Sequence, residues 1–169
     1  SYGYMLGDYV RDKDAVTASM MLTEMAAWYA AQGMTLFDAL EKLYEKYGYY
    51  AEKTHNLVMP GLDGLKDMAE LMKNLRENPP ADIGGVKVVT RKDYSNGSVV
   101  DCATGETSTM ELSGSNVLRF ELTDGTSVIV RPSGTEPKIK VYILTRGADA
   151  AACAANLEKY GQWVAGLKK

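Results

Sequence analysis

The residues whose types and spacing could do chemistry lie together near the end of the chain, in Arg131-Pro132-Ser133-Gly134-Thr135-Glu136-Pro137-Lys138. Arg131 carries a planar, permanently charged fork that matches two oxygens of a phosphate, a geometry no lysine offers. Ser133 and Thr135 add hydroxyl donors, and Gly134 lets the backbone bend so that successive N–H groups can face an anion. The flanking prolines narrow the loop's conformations, which lowers the entropy lost on closing around a ligand. Lys138 and Lys140 alternate with Ile139 and Val141, so both lysines fall on one sheet face and add positive potential beside the loop. The same residues also suit an ordinary turn, with the arginine meeting a carboxylate or water. Both readings stand at this level. No Gly-Lys-Ser/Thr follows, so a Walker-type nucleotide loop is not implied.

Other chemically capable residues carry less. Lys13 lies between Asp12 and Asp14 at a helix start, where it either reaches a substrate or balances local charge. His55, the single histidine, has no catalytic partner nearby in sequence and reads as a packed or surface residue. Cys102 and Cys153 form no CxxC pair or Cys/His cluster, so neither a zinc site nor a disulfide framework is signalled, and a reducing cytoplasm suits them. The 169 residues carry a formal net charge of −3, and bases are interleaved with acids, which argues against nucleic acid as partner. No long uncharged apolar run or basic-then-apolar leader appears, so neither a membrane span nor export is expected. The opening Ser1-Tyr2-Gly3-Tyr4 lacks an initiator methionine and reads as the interior of a longer chain.

The elements that must position these groups follow from periodicity. Val16, Met20, Thr23 and Ala27 recur at helical spacing, and Met21, Leu22, Met25 and Tyr29 on the other side are mostly apolar too, predicting a widely covered helix over Asp14 to Ala31. Thr35 opens a second helix with one stripe of Leu36, Ala39, Leu40, Leu43, Tyr44 and Tyr47. Residues 50–58 read as a strand. A helix follows with Leu62, Leu65, Ala69, Met72 and Leu75 on one face, stopped by Asn78-Pro79-Pro80. Val86-Lys87-Val88-Val89 comes next, and three strands are expected at Val117 to Leu122, Ser127 to Val130 and Ile139 to Leu144, with Asp124-Gly125 as a hairpin turn. The polar stretch around Asn96-Gly97 and Thr104-Gly105 reads as a surface loop, or as one reaching a cleft. A last helix runs from Asp149 to Leu167 with Cys153, Leu157, Tyr160 and Val164 inward. The order predicts an α+β fold, a mostly antiparallel sheet backed by helices, over residues 49–169, preceded by a helical pair in residues 1–48.

The whole string from Arg131 to Tyr142, RPSGTEPKIKVY, resembles the phosphate-binding loop in the last domain of the α-D-phosphohexomutases, the phosphoglucomutase and phosphomannomutase superfamily. Ser1-Tyr2-Gly3-Tyr4 resembles the tail of the family's Glu-Glu-Ser-x-Gly sugar-recognition loop, and Arg11-Asp12-Lys13-Asp14-Ala15 resembles the Arg-x-Lys-Asp-Gly/Ala segment after it. The resemblance implies that residues 1–48 are a helical remnant of the α/β domain three and residues 49–169 the TBP-like domain four. It further implies that Arg131, Ser133, Gly134 and Thr135 bind the phosphate not being transferred, that Ser1 touches a sugar hydroxyl, and that Lys13 is a possible substrate contact. The parent would be a cytoplasmic isomerase with a phosphoserine, Mg2+ on an Asp-x-Asp-x-Asp motif and a sugar bisphosphate activator, acting on hexose phosphates. Neither of those motifs occurs in this chain, so by itself it is expected to be inactive and to depend on the remaining mutase domains. The alternative is a stand-alone anion-binding or protein-interaction module that uses the same loop without catalysis.

Overall fold

The structure, a computed structural model, describes residues 4–9 and 11–167. The chain divides into two compact units, Ser1–Gly48 and Tyr49–Lys169.

In the first unit, helix α1 (Ala15–Ala30) is capped by Asp14, whose carboxylate accepts from the Val16 amide at 2.9 Å. Helix α2 (Leu36–Tyr47) begins with a reciprocal capping box: the Asp38 amide donates to Thr35 Oγ1 at 3.1 Å, and the Thr35 amide donates to Asp38 at 2.7 Å. Both helices arise where periodicity predicts them, but α1 has no buried residue, with Val16, Met20 and Trp28 all more than half exposed. The broad cover expected for this helix is therefore not supplied within the described residues. Ala39 is the one buried apolar residue described in this unit.

The second unit is an α+β fold. Its strands are β1 (Tyr49–Val58), β2 (Asp82–Ile83), β3 (Val86–Asp93), β4 (Ser98–Asp101), β5 (Thr107–Thr109), β6 (Leu118–Leu122), β7 (Ser127–Pro132) and β8 (Lys138–Gly147). They form an antiparallel sheet in the order β1-β8-β7-β6-β3-β4-β5, with β2 paired to β3. Helices α3 (Gly64–Glu77) and α4 (Ala150–Gly166) pack on one face. Alternation explains the layering: Leu118, Phe120 and Leu122, then Val128 and Val130, then Ile139, Val141 and Ile143 point inward from successive strands and are buried. Tyr160 and Val164 of α4 and Met72 and Leu75 of α3 close this core. Tyr160 is fully buried, and its hydroxyl donates to Asp124 in the β6–β7 turn. Burial alone would raise the Asp124 carboxyl; the bonds from Tyr160 and Thr126 outweigh it and leave the group below the usual carboxylate range.

Two expectations are corrected. The inward stripe of α3 is Gly64, Met68, Met72 and Leu75, whereas Leu62, Leu65 and Ala69 are exposed. The helix starts only at Gly64, where the backbone lies so close to Met59 that a Cβ would be driven into its carbonyl oxygen, and this contact sets the rotation of the helix. The polar stretch is not a loop, because β4 and β5 extend the sheet there. Gly97 and Gly105, with φ of 76° and 77°, provide the left-handed turn residues, and Asp101 accepts from the Ala103 and Thr104 amides at 2.8 and 3.0 Å.

Candidate functional site

The candidate loop joins β7 to β8, neighbouring strands in the middle of the sheet. It is pinned at its base by the Ser133 amide, which donates to the Lys138 carbonyl at 2.8 Å, and at its far end by the Met59 amide, which donates to the Pro137 carbonyl at 2.8 Å. Gly64 admits this arrangement: a Cβ there would lie 3.1 Å from Pro137 Cβ as well as striking Met59. Met59 and Gly64 are thus supports for the loop that sequence reading missed. The only signal was Pro60-Gly61, which marked a turn without showing what the turn approached.

Register sets Arg131 opposite Lys140, and Lys140 opposite Asn56 of β1. The residues alternating with them, Val130, Val141 and Leu57, are buried under the helices, so this row lies on the face that carries no helix. Arg131 is exposed, and among the described residues no acid pairs with it. Lys138 instead holds Glu136 in an ion pair within the loop, and that hydrogen bond, with its charge, keeps the Glu136 carboxyl below the usual carboxylate range. The pairing matters electrostatically. It neutralises the one acid of the loop and leaves Arg131 and Lys140 as net positive charge at its mouth.

Of the loop amides, those of Gly134 and Glu136 meet no acceptor among the described residues, and that of Thr135 makes only a long contact, 3.5 Å, with Ser133 Oγ. Gly134 does not have a left-handed backbone, and a Cβ built on it would meet nothing within 4 Å. Its lack of a side chain is therefore not required by the chain's own packing. Behind the loop, Met68, Met72, Asn116, Pro132, Ser133 and Gly134 line a cavity of about 270 Å³ with no charged group in it. A larger cavity of about 470 Å³ along α3 is bordered by Asp67, Glu70 and Glu77 against the single base Lys73, an acidic excess that disfavours a phosphate.

The remaining candidates lie elsewhere. Ser1 is outside the described residues. Lys13, in the first unit, donates from its backbone and from Nζ to Asp12 Oδ1, each at 2.7 Å, so its charge is balanced by its neighbour. His55 packs against α4, its Nε2 buried without a partner among the described residues, and a Cβ on Gly161 would lie 3.1 Å from the ring. Among the described residues no three His, Cys, Asp or Glu side chains gather into a set able to hold a metal ion, and no helix is long and apolar enough to cross a membrane.

Residues 56–156, from within β1 to the first half of α4, match the family model described as phosphoglucomutase/phosphomannomutase, C-terminal domain. The chain belongs to the phosphoglucomutase/phosphomannomutase family. Among proteins, it is 37% identical over 149 residues to a phosphoglucomutase of Staphylococcus aureus strain N315, covering 88% of this chain and 27% of that protein. A phosphoglucomutase of the bovine strain RF122 is 38% identical over 143 residues, covering 85% of this chain and 26% of that protein. The chain thus spans about a quarter of the length of the curated relatives it matches. Among solved structures, the open form of the Paramecium phosphoglucomutase pp63/parafusin superposes with a TM-score of 0.54 at 18% identity, over 94% of this chain and 28% of that one, a likeness of fold. The matched region includes the whole Arg131–Lys138 loop.

Proposed function

We propose that this chain is the C-terminal part of a phosphohexomutase that interconverts sugar 1-phosphates and 6-phosphates through a phosphoserine and a bisphosphate intermediate, and that its β7–β8 loop holds the phosphate not being transferred. The observation that carries the reading is the exposed guanidinium of Arg131, facing Lys140 across the strands, with no acid partner among the described residues, beside amides that lack acceptors. Arg131 engages two phosphate oxygens, the Ser133 and Thr135 hydroxyls and the Gly134 and Glu136 amides take the others, and Lys140 adds charge. The space a Cβ would occupy at Gly134 is where the oxyanion approaches the backbone.

A bisphosphate must turn over between two transfers, so the loop has to accept phosphate on either end of the sugar. Contacts to the dianion rather than to the ring meet that need. Holding one phosphate also turns the opposite end of the sugar into a positioned reactant. Residues 1–48 are the end of domain three and 49–169 domain four. Ser1 contacts the sugar, and Lys13 reaches the substrate by leaving Asp12, a small cost for an exposed pair. Mg2+ and the bisphosphate activator belong to domains beyond this chain. Among the described residues no three His, Cys, Asp or Glu side chains are grouped to hold a metal ion. The parent is cytoplasmic.

Titration of the chain with glucose 6-phosphate, followed by amide NMR, tests the assignment. Saturable shifts at residues 131–138 are expected, and Arg131→Ala should weaken binding roughly tenfold to a hundredfold, since hydrogen bonds to charged groups contribute about 1.5–3 kcal/mol. Equal affinity in the variant removes Arg131 from the site. For the parent, turnover of glucose 1-phosphate, mannose 1-phosphate and ribose 1-phosphate, compared side by side, tests the activity and the preference among sugars.

A further inference from the structure

A further cavity lies away from the β7–β8 loop, between the end of α3 and strands β3, β4 and β6. α3 ends at Glu77, and Pro79 follows. The cavity, of about 280 Å³, is floored by Leu75, Val100, Leu118 and Phe120. Arg91 lines it. Register places Arg91 opposite Phe120 on one side and Val100 on the other, on the helix-bearing face of the sheet. The one acid in the lining, Asp93, is already engaged: it accepts from Arg76 Nε at 2.9 Å and from the Ser95 amide and hydroxyl at 2.9 and 2.7 Å. Arg76 also donates to Asn116. Lys92 pairs with Glu121 at 2.8 Å. Arg91 therefore stands half-buried with no acid partner among the described residues, in a cavity whose lining also includes Asn96 and Ser98, above an apolar floor.

A half-buried guanidinium without a counter-charge favours an anion, and the floor favours a ligand whose remainder is apolar. We propose that this cavity binds a small organic carboxylate, its oxygens on the Arg91 fork and its apolar body on Phe120, Leu118 and Val100. A bare phosphate could meet the arginine but would leave the floor uncovered. The site is separate from the β7–β8 loop and does not depend on that loop's function.

The test is amide NMR of the whole chain titrated with benzoate, and separately with inorganic phosphate. Saturable benzoate shifts at Ser98, Val100 and Phe120 are expected, weakened about tenfold or more in Arg91→Gln and in Ser98→Leu, which narrows the mouth, and unchanged in Arg131→Ala. Spectra otherwise like the parent's establish that each variant is folded; Arg91→Lys, which keeps the charge without the fork, should bind more weakly than the parent. Absence of saturable shifts, shifts unaffected by both Arg91→Gln and Ser98→Leu, or phosphate binding there as tightly as benzoate would each overturn the proposal.

Discussion

Gly134 is where the proposed ligand contact can be tested apart from folding. Because a Cβ at Gly134 meets nothing within 4 Å and the backbone there is not left-handed, Gly134→Ala should leave thermal stability within about 0.5 kcal/mol of the parent. The same methyl group would occupy the approach of an oxyanion, so affinity for glucose 6-phosphate should fall, which parallel melting curves and NMR titrations would check. His55 makes a different prediction. Burial, then the charge of Lys53, holds its imidazole below the ordinary value of 6.5, with Glu158 partly opposing them. The fold thus favours the neutral ring, and the unfolded chain takes up the proton first. Its stabilising contribution is complete above pH about 6.5 and is lost as the pH falls below that toward the depressed folded value. Urea unfolding at pH 7 and pH 5.5 should show a larger loss for the parent than for His55→Gln.

At the scale of elements, the loop is held by what approaches it from behind. Gly64 opens α3 against the Met59 carbonyl and Pro137, so Gly64→Ala must push the helix away from both. We expect a destabilisation of about 1–3 kcal/mol, as for overpacking in a core, together with shifted resonances through residues 132–138. A melting temperature equal to the parent's would show that the α3 start yields freely. Little of this clamp was legible in sequence, because Met59, Gly64 and Pro137 are neighbours only once β1 lies beside β8. The face of α3 was misassigned for a related reason: Leu62 and Leu65 continue a plausible apolar period, but the helix begins at Gly64 and tertiary contact fixes its rotation. β4 and β5 escaped notice because their residues are partly polar and short, and Asn96-Gly97 and Thr104-Gly105 were legible as turns without strands to join.

At the scale of the whole molecule, the extended core is confined to one unit. Its buried side chains run from Leu57 to Val164, and in the first unit only Ala39 among the described apolar residues is buried. Residues 49–169 expressed alone should therefore unfold cooperatively at nearly the melting temperature of the parent's main transition. Residues 1–48 alone should show only weak helicity by circular dichroism, since helices of 16 and 12 residues are marginal without packing. A cooperative transition from the short piece would contradict this division.

From the sequence by itself came the α+β class, the two helices of the first unit, the β6–β7 hairpin, the inward face of α4 and the proposal for the loop at Arg131. Each rests on a local rule: side-chain period, capping chemistry, or the geometry a guanidinium shares with an oxyanion. Only the tertiary structure decided that Arg131 faces Lys140 on the helix-free side, that Lys138 neutralises Glu136, that Met59 and Gly64 support the loop, and that Arg91 lies without an acid partner over an apolar floor. Those depend on strand register and helix rotation, which are set by contacts between residues far apart in the chain and therefore leave no periodic trace in it.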